Sequence, residues 1–155
     1  MRWCETMVSV NPATAGLKTL ARLEQVLARA EWSEPGIVEG LMATTEGNVI
    51  GGTSSNVFMV SDDRLLTPAL HRAGVAGVMR RVILDTARRD GIEVVETVLE
   101  PSAANEATEL FVSNALTGIR PVCRVDARVW AVGPVTRRLQ TLLAAAGVVE
   151  CAGSS

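Results

Sequence analysis

The stretch that most constrains the fold is the helical pattern from Val78 to Arg89, entered through Ala73-Gly74-Val75-Ala76-Gly77 and left at Gly91. Val78, Met79, Val82, Ile83 and Ala87 recur at helical spacing as an apolar face, and Arg80, Arg81, Arg88 and Arg89 fall on the other side. Gly91 is placed to cap the C-terminus. A helix with one apolar face needs a sheet to lie on, and short strand patterns flank it. Val57-Phe58-Met59-Val60 and Arg64-Leu65-Leu66 precede it, joined by an Asp62-Asp63 turn, and Glu93 to Leu99 follows. The order of strands and helices along the chain is mixed rather than strictly alternating. That predicts an α+β domain, a barrel-like mixed sheet with flanking helices.

The rest of the chain fits one domain over residues 1–146 with a frayed tail at 147–155. Arg2 to Val10 reads as a strand. A helix entered near Lys18 and ending around Trp32 carries an apolar stripe of Leu20, Leu23, Val26 and Leu27, with Arg22, Glu24, Gln25 and Arg29 opposite, and is expected to be half buried. Strand-like IVEGLMA and Asn48-Val49-Ile50 come next. Further on, a short helix is expected from Pro101 to Glu106, strands at Leu110–Ser113, Ile119–Val125 and Val129–Val132, and a last amphipathic helix from Pro134.

Composition narrows the partners. Lys and Arg number 15 against 17 Asp and Glu, and the basic residues are scattered, so no field draws nucleic acid or anionic lipid. No apolar run approaches the roughly 18 residues of a membrane span. Cys4, Cys123 and Cys151 are widely spaced and His71 is the sole histidine, which leaves no disulfide framework and no metal site. A soluble, cytoplasmic protein is expected. With 48% hydrophobic residues and a mean hydropathy of +0.25, some apolar surface is expected to meet a partner.

Three local features bear on chemistry. Lys18 is the only lysine, next to Gly16 and between Leu17 and Leu20. A lysine drawn into an apolar cleft becomes a nucleophile; a solvated lysine is the plain alternative. Gly51 to Asn56, GGTSSN, offers unencumbered N–H groups and the Thr53, Ser54 and Ser55 hydroxyls, either as an anion nest or as an ordinary hairpin loop. The glycine-led N-terminus of the helix at Val78 presents free N–H groups and a positive dipole end suited to phosphate. Glu39 and Glu46 read as solvated. A phosphate-bearing aldehyde cofactor would use all three features.

The runs AGLKTLARLEQVLARAE, GNVIGGTSSNVF, LLTPALHRAGVAGVMR and FVSNALTGIRPV, in this order and spacing, resemble the large domain of the class-IV aminotransferase family, the fold-type IV pyridoxal-phosphate enzymes. The likeness runs from Val8 to Leu143 and is greatest to the branch that cleaves 4-amino-4-deoxychorismate to 4-aminobenzoate and pyruvate on the folate route. It implies pyridoxal 5'-phosphate as cofactor, Lys18 as the Schiff-base lysine, Thr53, Ser54, Ser55 and Asn56 beside the cofactor, and Val78 and Met79 giving backbone N–H groups to the phosphate. Asn114, Ala115 and Leu116 would line the substrate side.

The same likeness marks departures. The family's glutamate for the pyridine nitrogen falls on Gly51, for which Glu39 or Glu46 could in principle compensate, a common asparagine falls on Ala21, and an acidic residue expected before Glu109 is Thr108. The family's N-terminal small domain has no counterpart, so the chain reads as one half of an enzyme that is a homodimer at full length. A lyase acting on a small molecule is the leading expectation. A branched-chain or D-amino-acid type transaminase and a catalytically silent interaction domain are the alternatives.

Overall fold

The computed structural model describes residues 1–151. The glycine-flanked helix forms as α2 (Val78–Arg89), with Gly91 in the left-handed conformation just beyond its end. It is the crossover between two parallel neighbours, β5 (Arg64–Pro68) and β6 (Val94–Thr97). β4 (Asn56–Ser61) runs antiparallel to β5 across the Asp62-Asp63 turn, and β7 (Glu109–Asn114) and β8 (Gly118–Pro121) complete a five-stranded sheet in the order β6-β5-β4-β7-β8.

Side-chain alternation divides this sheet into two faces. Phe58, Val60 and Phe111 point toward α2 and α4 (Pro134–Ala145), where Ile83, Leu84, Leu139 and Leu143 cover them. Phe58 and Phe111 are directly paired and stack with centroids 4.8 Å apart. Val57, Met59, Leu110 and Val112 point the other way, into a core closed by Leu41, Val49 and Trp130. Leu41 and Val49 come from a second sheet, β1 (Arg2–Trp3), β2 (Gly40–Ala43) and β3 (Val49–Gly52). A two-stranded ribbon, β9 (Arg124–Val125) and β10 (Arg128–Val129), and a short helix, α3 (Pro101–Glu106), complete the α+β arrangement.

The N-terminus of α4 is capped at long range. Gly133 has no side chain to offer, and the buried Glu109 carboxylate accepts from the Val135 N–H at 3.0 Å, the Thr136 N–H at 2.7 Å and the Thr136 hydroxyl at 2.6 Å. A negative charge at a helix N-terminus also meets its dipole favourably. This contact ties α4 to β7.

Several sequence expectations are corrected. The strand expected over Arg2–Val10 is regular only at β1, with one further bridge at Val8. The first helix, α1, spans Leu23–Arg29 and is turned the other way: Leu20, Leu23, Val26 and Leu27 are exposed, and Ala28 is its buried residue, packed with Val8, Met42 and Ile50. The reason is polar. Glu24 accepts from the Ser9 N–H at 2.9 Å and Arg22 donates to the Thr53 carbonyl at 3.1 Å, so the polar side of the helix is the one held against the domain. In α2, Arg80 is buried rather than outward, donating to the Pro68 carbonyl at 3.0 Å and pairing with Glu96 at 2.8 Å. Val78 is exposed, and Leu84 takes its place in the core. Past Gly147 the chain does not fray at once: Val149–Cys151 forms a 3-10 turn with Cys151 buried, while residues 152–155 lie outside the described residues. Among the described residues no helix is long and apolar enough to cross a membrane.

Candidate active site

The site begins with a buried carboxylate. Glu39, expected to be solvated, is 6% exposed and stands behind the loop that joins β3 to β4. Its oxygens accept from the Gly40 N–H at 2.9 Å, the Thr53 N–H at 3.0 Å, the Ser54 N–H at 3.2 Å, the Ser54 hydroxyl at 2.8 Å, the Ser55 hydroxyl at 2.9 Å and the Thr53 hydroxyl. Burial alone would push the Glu39 pKa up, but the bonds from Thr53, Ser54, Gly40 and Ser55 outweigh it and hold the group below the usual carboxylate range. A Cβ on Gly52 would lie 2.9 Å from the Glu39 carboxyl carbon, so glycine is what lets the charge come up behind the loop.

The second wall is the start of α2. No side chain caps this terminus, and the N–H groups of Val78 and Met79, in its first turn, have no acceptor among the described residues. Asn56, at the start of β4, donates from Nδ2 to the Val75 carbonyl at 2.7 Å, fixing the glycine-rich approach to the helix. Any side chain on Gly77 would collide with Asn56 Oδ1. The loop, its donors engaged by Glu39, and the start of α2, with spare donors, therefore meet at one place.

The segment carrying Lys18 is strapped onto that approach. The Gly16 N–H donates to Gly74 at 3.0 Å, the Ala76 N–H donates back to Gly16 at 2.9 Å, and the Asn11 N–H donates to Arg72 at 2.9 Å. Lys18 follows directly, exposed at the rim of a cleft of about 180 Å³ and without a hydrogen bond or ion pair to another described residue. Of the two readings of Lys18, the solvated one is the one observed, and the side chain is not withdrawn into an apolar environment.

Of the residues singled out in the sequence, Lys18, Gly51, Ser54, Ser55, Asn56, Val78, Met79, Asn114 and Ala115 line this cleft. Thr53 does not: its N–H and hydroxyl face Glu39 and its carbonyl faces Arg22, so it supports the loop from behind. Leu116 also stands apart, 85% exposed on a turn whose N–H groups at Leu116 and Thr117 are held by Asn114 Oδ1. Sequence reasoning missed Arg22, Gln25 and Ser113, which add polar groups to the lining. Ser113 Oγ and Gln25 Oε1 are buried without a partner among the described residues, and Ser113 as a whole is 1% exposed. The signal for the first two was present in α1, where Arg22, Gln25 and Ala28 fall three residues apart on one face.

Against known proteins, the model for amino-transferase class IV matches residues 2–125. The chain belongs to the class-IV aminotransferase family. It is 36% identical over 141 residues to the aminodeoxychorismate lyase of Vibrio harveyi, an alignment covering 88% of this chain and 52% of that one. The crystal structure of 4-amino-4-deoxychorismate lyase from Pseudomonas aeruginosa superposes with a TM-score of 0.90 at 44% identity, covering 92% of this chain and 53% of that one. The T.th. branched-chain amino acid aminotransferase with pyridoxamine 5'-phosphate superposes at 0.82 and 25% identity, covering 93% and 49%. The chain thus spans about half the length of these class-IV relatives.

Gly51 has φ +156°, and a Cβ there would stand 2.8 Å from the Ser55 carbonyl oxygen. A glutamate at this position would require that carbonyl to move. Glu39 does not stand in for it, because its oxygens are all engaged on the far side of the loop, and Glu46 is paired with Arg72 at the surface. No acidic residue lines the cleft among the described residues, whereas Lys18 and Arg22 bring positive charge to it.

Glu39 sets the acid behaviour of this class-IV site. Because its folded pKa is lowered, the stabilisation it brings is complete above the unfolded carboxylate value and disappears as pH falls through the lower folded value. Amide exchange at Thr53 and Ser54 is expected to stay protected down to the ordinary carboxylate range and to open only below it. Glu39→Gln is expected to remove that dependence and to cost about 2–3 kcal/mol at neutral pH in urea unfolding, as charge-assisted bonds become neutral ones. A variant with parental stability and the parental exchange profile would show that the loop does not depend on the carboxylate.

Proposed function

We propose that this chain carries the cofactor-binding half of a pyridoxal-phosphate-dependent carbon–carbon lyase that forms 4-aminobenzoate and pyruvate from 4-amino-4-deoxychorismate. The observation that carries the reading is the cleft itself: a single lysine at its rim, unclaimed N–H groups of Val78 and Met79 at one end, and positive charge without a carboxylate. Identity to lyases over most of the chain supports the substrate assignment.

The residues present fit the cofactor. Ser113 Oγ is a buried hydroxyl without a partner in the cleft wall, and the free first-turn N–H groups of α2 suit a phosphate dianion. When bound, the cofactor supplies a carbonyl for the substrate amine and a ring that takes up electrons from the bond being broken. In this reading Val78 and Met79 hold the phosphate, Ser54, Ser55 and Asn56 form the wall beside the ring, and Thr53 keeps that wall in place through Glu39. Lys18 Nζ holds the carbonyl and, once freed by the substrate amine, moves the proton at the reacting carbon. Asn114 and Ala115 bound the substrate side, and Leu116 stands at its outer edge.

Gly51 favours a lyase over the transaminase alternative. Without a carboxylate facing it, the ring nitrogen is a weaker electron sink, and release of pyruvate with aromatisation has a driving force of its own. The absence of any acidic residue among the described lining residues also favours a second reading, a catalytically silent domain.

The exposed Leu20, Leu23, Val26 and Leu27 support a pairing of chains in the full-length form, as a homodimer. Free Cys4, Cys123 and Cys151 agree with a reducing cytoplasm, and burial pushes the Cys4 thiol up to about 12, out of reactive range.

Incubation with pyridoxal 5'-phosphate, borohydride reduction and peptide mapping test the reading. An adduct on Lys18 that Lys18→Ala abolishes is expected; a folded chain modified only at the Met1 amine, or not at all, contradicts it. Light scattering on the same samples is expected to find dimers. A strictly monomeric chain in which Leu20, Leu23, Val26 and Leu27 can be replaced by serine without loss of adduct would exclude pairing through this face.

A further inference from the structure

A second cavity, of about 390 Å³, lies across the loop from the Lys18 cleft. The two meet at Ser54, Ser55 and Asn114, which line both. Its apolar lining comes from Val38, Val112, Pro121 and Val122, and Arg120 and Arg124 stand at its mouth. Neither guanidinium has a hydrogen bond or an ion pair to another described residue, although Arg2, Arg22, Arg29, Arg72, Arg80, Arg88 and Arg138 all donate to partners.

An apolar chamber with two unpaired guanidinium groups at its entrance suits one class of ligand, a ring that carries a carboxylate. The ring takes the surface of Val112, Pro121 and Val122, and a planar guanidinium meets a carboxylate with paired donors. One carboxylate already stands in the wall, that of Glu39, but its charge is met inside the loop by the Thr53, Ser54 and Ser55 hydroxyls. An incoming anion is therefore directed to the arginine end.

We propose that this cavity is the ring-carboxylate subsite, in which Arg120 and Arg124 bind the carboxylate of a cyclic amino acid substrate whose amine is presented to Lys18. The proposal rests on the lyase reading for the direction of the amine, and it assigns Arg120 and Arg124 as specificity-determining residues.

The test uses 4-aminobenzoate as probe and aniline as its counterpart without the carboxylate, followed by backbone amide shifts at Ser54, Ser55 and Thr117. Saturable shifts with 4-aminobenzoate are expected, at least about tenfold weaker binding of aniline, and a similar loss for Arg120→Gln with Arg124→Gln. Both arginines are exposed, so the double variant is expected to unfold at the parental temperature, and Arg120→Lys with Arg124→Lys is expected to recover part of the binding. Equal binding of the two probes, binding unchanged in the glutamine variant, or no saturable shift overturns the subsite. The Lys18 adduct separates the two levels: its absence with arginine-dependent binding intact sinks the lyase reading alone, and its presence without such binding sinks the subsite alone.

Discussion

The site depends on one carboxylate and the donors that surround it. Glu39 turns Thr53, Ser54 and Ser55 toward itself, and in doing so it fixes the loop that lines both the Lys18 cleft and the cavity beside Arg120. Removing a buried charge from water is costly, and it is tolerated here because hydroxyl and N–H donors replace the lost water around both oxygens. The loop is thereby held by contacts within the chain itself. A preformed wall lowers the ordering cost of binding.

Glu109 plays the corresponding part on the opposite side of the five-stranded sheet. It holds the N-terminus of α4 as Glu39 holds the loop, and both act between segments distant in the chain. The stacked Phe58 and Phe111 sit on the adjacent strands β4 and β7. The ends of the same two strands carry Asn56 and its cross-strand partner Ser113, with Asn114 next to it, into the cleft lining. Side-chain packing in the sheet interior and the position of the polar lining are thus set by the same strand register.

Much of this was legible in the sequence where local pattern and tertiary environment agree. α2, α3 and the start of α4 follow from their spacing, from Gly91 and from Pro101 and Pro134. The cleft residues Ser54, Ser55, Asn56, Val78 and Met79 stand out because small residues and a glycine-led helix end mark backbone that must approach something closely. α1 misleads because hydrophobic periodicity names the apolar face without saying what covers it. Leu23, Val26 and Leu27 face outward, and Arg22 and Gln25 turn in. Glu39 and Glu109 are invisible as anchors because their partners lie far along the chain: Glu39 with Thr53 to Ser55, Glu109 with Val135 and Thr136. No local rule pairs such residues. Family resemblance supplies what periodicity lacks, a role for Lys18, and it also exposes the departure at Gly51.

The central claim is that the Glu39-held loop, the start of α2 and the strap carrying Lys18 form one cofactor cleft. A crystal structure of the chain soaked with pyridoxal 5'-phosphate tests it most directly. The account expects the phosphate within hydrogen-bond distance of the Val78 and Met79 N–H groups, the ring along Ser54 to Asn56, and the carbonyl carbon at Lys18 Nζ. Density for the phosphate at Arg120 and Arg124 instead, with Val78 and Met79 still without an acceptor, would contradict it.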